Sequence, residues 1–475
     1  MNRRSMWRRV VAVAGTVGLV AGLLTVGAPT ASAAGQRTSA AQSADSAAQI
    51  TRDYVIRYWS RWTTFYQQKA FEAANGASTL AGPAIPMGPQ FRLINAINDD
   101  TIYASSLDLD LRQGPVILTI PATPTIYSIL PLNVFQETFA TSIPDQTPGT
   151  YALTLPSWRG ILPSGVTRVD VPYPVTQWFF RADKYSPTGQ DMIAEADTFR
   201  LGLRMQTLAN YLANPTAGAP TIAPLFPYFA FSFKLAQDTG ALRTPRLFLR
   251  SMQRAVHDPT TTPMSASDLR LSRQFDQAFA AAQGNPLQMR RIERAVAEAY
   301  HAIVERWMTH VGPTNWVHFD NFADWGTAYL DRAASVEYCQ FCNNRAAAGY
   351  WSAFKDKSGR WLNGARHDYK LTFPANQIPD AKRFWSVTAY TPNTIELIRN
   401  PANKYLVARY TPGLVYNADG SVTIYMSVRK PANVPAANWL PTRRGQFNVY
   451  LRVYGPQGNT APDTGYIPPS VTIAR

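Results

Sequence analysis

Cysteine is nearly absent from this chain. Its 475 residues hold two, and histidine numbers only five. Both cysteines stand in one short stretch, Cys339-Gln340-Phe341-Cys342. That excludes a fold stapled by many disulfides. It also excludes a four-coordinate zinc module, because no second C-x-x-C and no H-x-x-x-H supplies the missing ligands. A thioredoxin-like C-x-x-C opens a helix after a strand, whereas this one follows a helical-looking stretch at 329–333. A local disulfide between Cys339 and Cys342 is the expectation in an oxidising compartment.

Acidic side chains are also scarce, with 31 Asp and Glu against 46 Lys and Arg, for a net charge of +15. No five or six like charges run together, so the excess reads as a solvated basic surface, not as a nucleic-acid-binding arm. Anionic wall polymers are the other partners such a surface suits. Motifs are missing as well. There is no G-x-S-x-G, P-loop, G-x-G-x-x-G or H-E-x-x-H, which argues against α/β-hydrolase, nucleotide-dependent and zincin mechanisms. Carboxylate chemistry stays open, since it needs only two acids across a cleft. Past the first 33 residues no apolar run is long enough to span a bilayer.

What is present begins with an address. Arg3, Arg4, Arg8 and Arg9 precede an apolar run at 10–26, and Ala31-Ser32-Ala33 has the form of a cleavage site. Residues 1–33 are therefore expected to be a signal peptide, read by the general export route or, through Arg3-Arg4, by the twin-arginine route. Its removal takes away four arginines and no acid, which lowers the net charge from +15 to +11. The Ala/Ser/Gln-rich stretch at 34–48 reads as a flexible leader. The protein is thus expected to be secreted, with no integral membrane segment after cleavage.

The remainder carries 36 prolines and 28 glycines, which favours many turns over long helices. An exception comes first, where Tyr54, Tyr58, Trp62, Phe65 and Tyr66 recur at helical spacing. From 91 to 181, short apolar runs alternate with Gly-Pro and Pro-Gly turns, the texture of an antiparallel sandwich or barrel. Residues 189–310 turn helical. Ser265 with Asp268 forms a capping-box signal, and Asn285-Pro286 opens a helix that places Ile292, Val296, Ala299 and Ile303 on one face. From about Leu362 strand texture returns, with an Asp-Gly hairpin signal at 417–421. The expected class is mainly β with a helical insert (α+β): a helix and β-domain over 49–188, a helical connector over 189–350 and a β-domain over 351–475.

These residues resemble a known pair of bacterial families, the domains of unknown function numbered 1254 and 1214, which occur in tandem. The first is similar through Asn98, Asp100, Thr101 and Tyr103, then Leu107-Asp108-Leu109, Gly114-Pro115-Val116 and Pro121. The second is similar through Leu362 and Gly364, residues 369–374, Phe384-Trp385-Ser386, and the stretches 400–405, 417–421, 438–441 and 451–456. Two positions depart from the pattern. Asp99 stands where a basic residue is usual, and Asp380 stands where a second proline is usual. The resemblance implies two jelly-roll-like antiparallel β-domains joined by a helical connector. It implies no reaction.

Function is expected at the junction of the two β-domains. Asn98-Asp99-Asp100-Thr101 is the densest polar cluster, able to supply an acid and a base or to hold a hard cation such as calcium. Strand neighbours point to opposite faces, so the two carboxylates converge only at a turn. Asp100 is the candidate acid or base, Tyr103 a hydrogen-bond donor and Arg399 an anion clamp. Asn98, Thr101, Trp385 and Arg452 are the candidate substrate-binding residues. No resident cofactor is expected, the cation at the carboxylates being the alternative. His318 with Asp320 and Asp324, and His367 with Asp368, are the histidine clusters weighed for metal or base roles. Trp351, Trp361, Trp385 and Trp439 are of a type that stacks on sugars or fills cores. The reading is an extracellular enzyme acting on a carbohydrate or other small polar substrate. The alternative is a non-catalytic, homo-oligomeric or wall-binding jelly-roll protein.

Overall fold

The computed structural model describes residues 31–222, 232–261 and 264–474, with side chains from Ser46 onward. Most of the expected signal peptide, residues 1–30, lies outside the described residues. The helix Ala31–Asn75 runs through the segment expected as a leader, in keeping with the high helix propensity of alanine. Among the described residues no helix is long and apolar enough to cross a membrane.

Among the described residues the architecture is α+β, with four open sheets and a set of helices. In the first block, a five-stranded sheet has the order Tyr127–Asn133, Val175–Asp183, Thr101–Asp110, Ala81–Gly82, Thr221–Ile222. A four-stranded sheet (Val166–Asp170, Gly149–Thr154, Val116–Ile120, Arg204–Thr207) faces it. Ile102, Leu118, Leu153, Trp178, Phe180 and Met205 from the two sheets form one apolar core, so the block is a sandwich. The second block repeats the plan. Its five-stranded sheet runs Trp316–Val317, Ala348–Ala353, Asn448–Pro456, Ala381–Tyr390, Leu406–Ala408. Its four-stranded sheet runs Trp439–Pro441, Val422–Ser427, Tyr369–Phe373, Thr472–Ile473. Pairing is antiparallel apart from three short parallel contacts, one of them between Gly149–Thr154 and Val166–Asp170. Three strands fall inside the expected connector, Arg204–Thr207, Thr221–Ile222 and Trp316–Val317, so each sandwich borrows edge strands from it.

The helices form where their caps and stripes say. Ser265 and Asp268 close a capping box, and Asn285 caps Pro286–Thr309 by accepting from Gln288 N at 3.1 Å. Ile292, Val296, Ala299 and Ile303 are buried, as are Tyr54, Tyr58 and Phe65. At the Asn417–Ser421 turn Gly420 adopts φ +77°, a conformation that excludes most side chains.

The two-residue period of the strands divides each five-stranded sheet. In Asn448–Pro456, Val449, Leu451 and Val453 enter the second sandwich, while Tyr450 and Tyr454 enter a third core shared with the helices. In Val175–Asp183, Trp178 and Phe180 enter the first sandwich and Phe179 enters the shared core. The outer faces of the two sheets thus meet the helices, and one another, in that core.

Candidate functional site

Alternation also decides which polar groups meet. Tyr103 pairs in register with Arg181, and Thr101 with Asp183, while Ser386 pairs with Arg452 and Phe384 with Tyr454. Asp100, at the entry to its strand, is fully buried. Ser386 Oγ donates to Asp100 Oδ2 (3.0 Å), and the Tyr410 hydroxyl donates to the Asp100 carbonyl (3.0 Å). Burial pushes the Asp100 carboxyl up, against the pull of Arg452, the Ser386 hydrogen bond and Arg181. Arg452 Nη2 donates to Ala96 O (2.6 Å), and Arg181 Nη2 donates to Phe341 O (3.0 Å). Asp99 bonds Lys184 at 3.0 Å and accepts from Met87 N, so the carboxylate where a basic residue is usual has its own cation.

These groups surround a cavity of about 30 Å³, lined among others by Asn98, Thr101, Tyr103, Arg181, Arg452 and Tyr454. Cys339 and Cys342, joined as a disulfide, form part of its wall with Phe341. Phe341 holds φ 53° inside the four-residue turn, and its ring packs on Phe179 with centroids 4.7 Å apart. The structure therefore gathers Asn98, Thr101, Tyr103 and Arg452, with Asp100 behind them. Room for about two waters remains, far less than a sugar ring needs. Arg399 is exposed and lines none of the described clefts. Trp385 points into the second sandwich, against Phe373. Its neighbour Ser386 faces Asp100 instead, because consecutive strand residues take opposite faces.

A larger cleft of about 720 Å³ opens between the helices Phe233–Arg243 and Pro286–Thr309 and loops of the second sandwich. Ser232 caps the first helix by accepting from Leu235 N, and places Lys234 and Asp238 one turn apart on the same face. Lys234 Nζ donates to Asp238 Oδ2 (2.7 Å) and to Glu337 Oε1. Trp59 Nε1 donates to the other Glu337 oxygen (3.2 Å). Lys234 and Asp238 line the cleft, and Glu337 lies fully buried behind them. One ammonium cannot neutralise two carboxylates removed from water. Burial, then the charge of Asp238, hold the Glu337 carboxyl well above its usual range, with Lys234 opposing. The walls are aromatic, namely Tyr300, Tyr338, Phe354 and Trp361, and Trp361 is 44% exposed. Lys234 and Asp238 have a sequence signal in their i, i+4 spacing, but nothing local announces Glu337, which is 103 positions from Lys234.

A third cleft, about 360 Å³, holds His318, Asp320, Arg345, Trp351 and Tyr466. His318 Nδ1 lies 2.7 Å from Tyr350 O, and a carbonyl only accepts, so Nδ1 carries a proton. Nε2 faces Asp320 Oδ1 at 3.3 Å, and the ring stacks on Trp351. Asp324 instead accepts from Thr138 Oγ1. His367 stands edge-on to Tyr369, 6.1 Å between centroids. Among the described residues no group of three or more His, Cys, Asp or Glu is placed to hold a metal ion.

Residues 79–207 match the model of the family described as protein of unknown function (DUF1254), and residues 347–458 match that of protein of unknown function (DUF1214). No curated protein matches the chain. Among solved structures, the VPA0106 protein from Vibrio parahaemolyticus is similar at a TM-score of 0.58 and 18% identity, over 90% of this chain and 100% of that one. An uncharacterised protein from Burkholderia cenocepacia is similar at a TM-score of 0.44 and 13% identity, over 92% of this chain and 95% of that one. The first likeness is one of fold alone.

Proposed function

The chain belongs with the proteins that carry DUF1254 followed by DUF1214, and on that premise we propose an exported enzyme that performs carboxylate acid/base chemistry on a carbohydrate or other small polar substrate. The observation that carries this reading is the lysine shared by two carboxylates at the floor of the 720 Å³ cleft. Perturbed ionisable groups converging in a large pocket are the usual mark of proton-transfer sites. The acid/base role moves from Asp100 to Asp238, because Asp100 is sealed beside a cavity of about 30 Å³.

Glu337 does not line the cleft, so the two acids cannot flank a glycosidic bond as a hydrolase pair does. Asp238 instead takes a proton from the substrate, and the Lys234 ammonium holds the oxygen on which negative charge then develops. Glu337 stays protonated behind them and is a positioning residue. Trp361 offers an exposed ring for the apolar face of a sugar. The basic, apolar start of the chain supports export, and the two-sheet cores support jelly-roll-like sandwiches.

The test is a screen of sugars, sugar acids and short glycans for turnover and for thermal stabilisation. Asp238→Asn is expected to lower kcat at least a hundredfold on any substrate found, and Trp361→Ala to raise KM about tenfold with kcat little changed. Full turnover by Asp238→Asn overturns the assignment. A second reading, glycan binding without turnover, is favoured by the exposure of Trp361. Binding that survives Asp238→Asn, with no product from the wild type, would establish it.

A further inference from the structure

We propose that the cavity between the two sandwiches is a built site for one small monovalent anion of the size of chloride or formate. The argument begins with charge. Lys184 with Asp99, and Arg383 with Asp183, are paired. Arg181 and Arg452 are left with the single carboxylate of Asp100 between them. Arg452 is 2% exposed, and burying an excess guanidinium charge is costly without a countercharge.

Hydrogen bonding gives the same sign. Each arginine spends Nη2 on a backbone carbonyl, Arg452 on Ala96 and Arg181 on Phe341. Nη1 of each is buried and has no hydrogen-bond partner among the described residues, and both side chains line the cavity. Tyr350 and Tyr454 line it too. The Tyr350 hydroxyl oxygen already accepts from Asn343 N (3.0 Å) and Nδ2 (2.6 Å), which leaves its O–H to donate. The Tyr454 oxygen accepts from Asn98 Nδ2 at 3.5 Å, which leaves its O–H likewise. Two guanidinium N–H groups and two phenol O–H groups thus converge on one space. To a cation these four N–H and O–H groups offer donors, whereas an anion finds partners in all four.

Size narrows the class. The cavity has room for about two waters, which suits chloride, bromide or formate and excludes gluconate and a sugar, and the one positive charge left over beside Asp100 favours a monovalent anion over sulfate. The groups come from both sandwiches, Arg181 from one and Arg452, Tyr350 and Tyr454 from the other. A bound anion therefore ties the two blocks together, and its first effect is on stability. The site is independent of the Lys234–Asp238 cleft.

Thermal unfolding of the purified protein at constant ionic strength, with sodium chloride replacing sodium gluconate, tests this. The expected result is a saturable rise in the unfolding midpoint, about 2 °C per decade of chloride above half-saturation, matched by bromide and formate and not by sulfate. Arg452→Met is expected to abolish the rise, whereas Arg399→Met, on the surface, keeps it. If Arg452→Met does not fold, Arg181→Met serves the same purpose. A crystal soaked in bromide is expected to show an anomalous peak within hydrogen-bond reach of both Nη1 atoms. Equal midpoints in chloride and gluconate, or a bromide soak with no peak in the cavity, overturn the proposal in favour of water.

Discussion

Arg383 grips Asp183 across 200 positions of sequence, Nε to Oδ2 at 2.9 Å and Nη2 to Oδ1, and so joins the second sandwich to the first. Asp183, on the strand Val175–Asp183, is buried, and Arg383, on Ala381–Tyr390, is largely so. Two parallel hydrogen bonds fix orientation as well as distance.

Removing one partner of that fork leaves the other charge buried alone. Arg383→Met is expected to destabilise the protein by about 3–5 kcal/mol, read from the denaturant midpoint. The double variant Arg383→Met, Asp183→Leu is expected to recover most of the loss, because an apolar pair no longer carries a desolvation cost. A double variant no better than the single one would mean that the fork itself, not the orphaned charge, sets the stability.

Asp108 lies on the strand Thr101–Asp110 near Glu72 and Lys69. Burial, then Glu72, push its carboxyl up to about 6 from 3.8. The folded state therefore binds this proton more tightly than the unfolded one. The stabilisation is fully present below the unfolded value and is lost as pH rises through about 6. Asp108→Asn is expected to raise the unfolding midpoint at pH 8, by an amount on the order of 2–3 kcal/mol, and to leave it unchanged at pH 3.5. An equal shift at both pH values would show that packing, not ionisation, is responsible.

Lys234 and Glu337 should respond in opposite ways. Glu337 keeps its proton well above the usual range, so Gln is close to the species already present. Glu337→Gln keeps the side chain neutral but loses one of the two accepting oxygens that face Lys234 and Trp59, and is expected to cost about 1–2 kcal/mol near neutral pH. The Glu337 contribution is fully present below the unfolded value of 4.5 and is lost as pH rises from there through the raised folded value, so the wild type weakens with rising pH relative to Glu337→Gln. Lys234→Met removes the shared cation and is expected to cost about 3–5 kcal/mol in denaturant unfolding. Similar losses in the two variants would contradict a protonated Glu337.

Much of the frame was legible in the order of residues. The caps at Ser265 and Asn285 and the aromatic stripe from Tyr54 are local signals, and local physics honours them. The structure brings Asn98, Thr101 and Tyr103, read as a polar turn, and Arg452, read as part of an arginine-bearing partner domain, to one cavity. The structure places Trp385 in the core of the second sandwich and Arg399 on the surface, both away from that cavity. A tryptophan fits a core or a ligand equally well, and nothing in a lone arginine says whether its loop faces the junction. The cluster of Lys234, Asp238 and Glu337 escaped because its third member comes from a distant helix.

Strand periodicity, legible in the order of residues, already parts Trp385 from Ser386 and Leu451 from Arg452, although the irregularity between Ser106 and Leu109 shifts it in Thr101–Asp110. That is a consequence of strand geometry and needs no partner. Where each face goes depends on contacts between elements far apart in the chain. The outer faces of two sheets were brought against one another and against the helices, and polar groups such as Asp100, Arg181, Ser386 and Arg452 were carried inside with them. A buried charge takes its meaning from what lies opposite, and what lies opposite here is set by contacts spanning hundreds of residues.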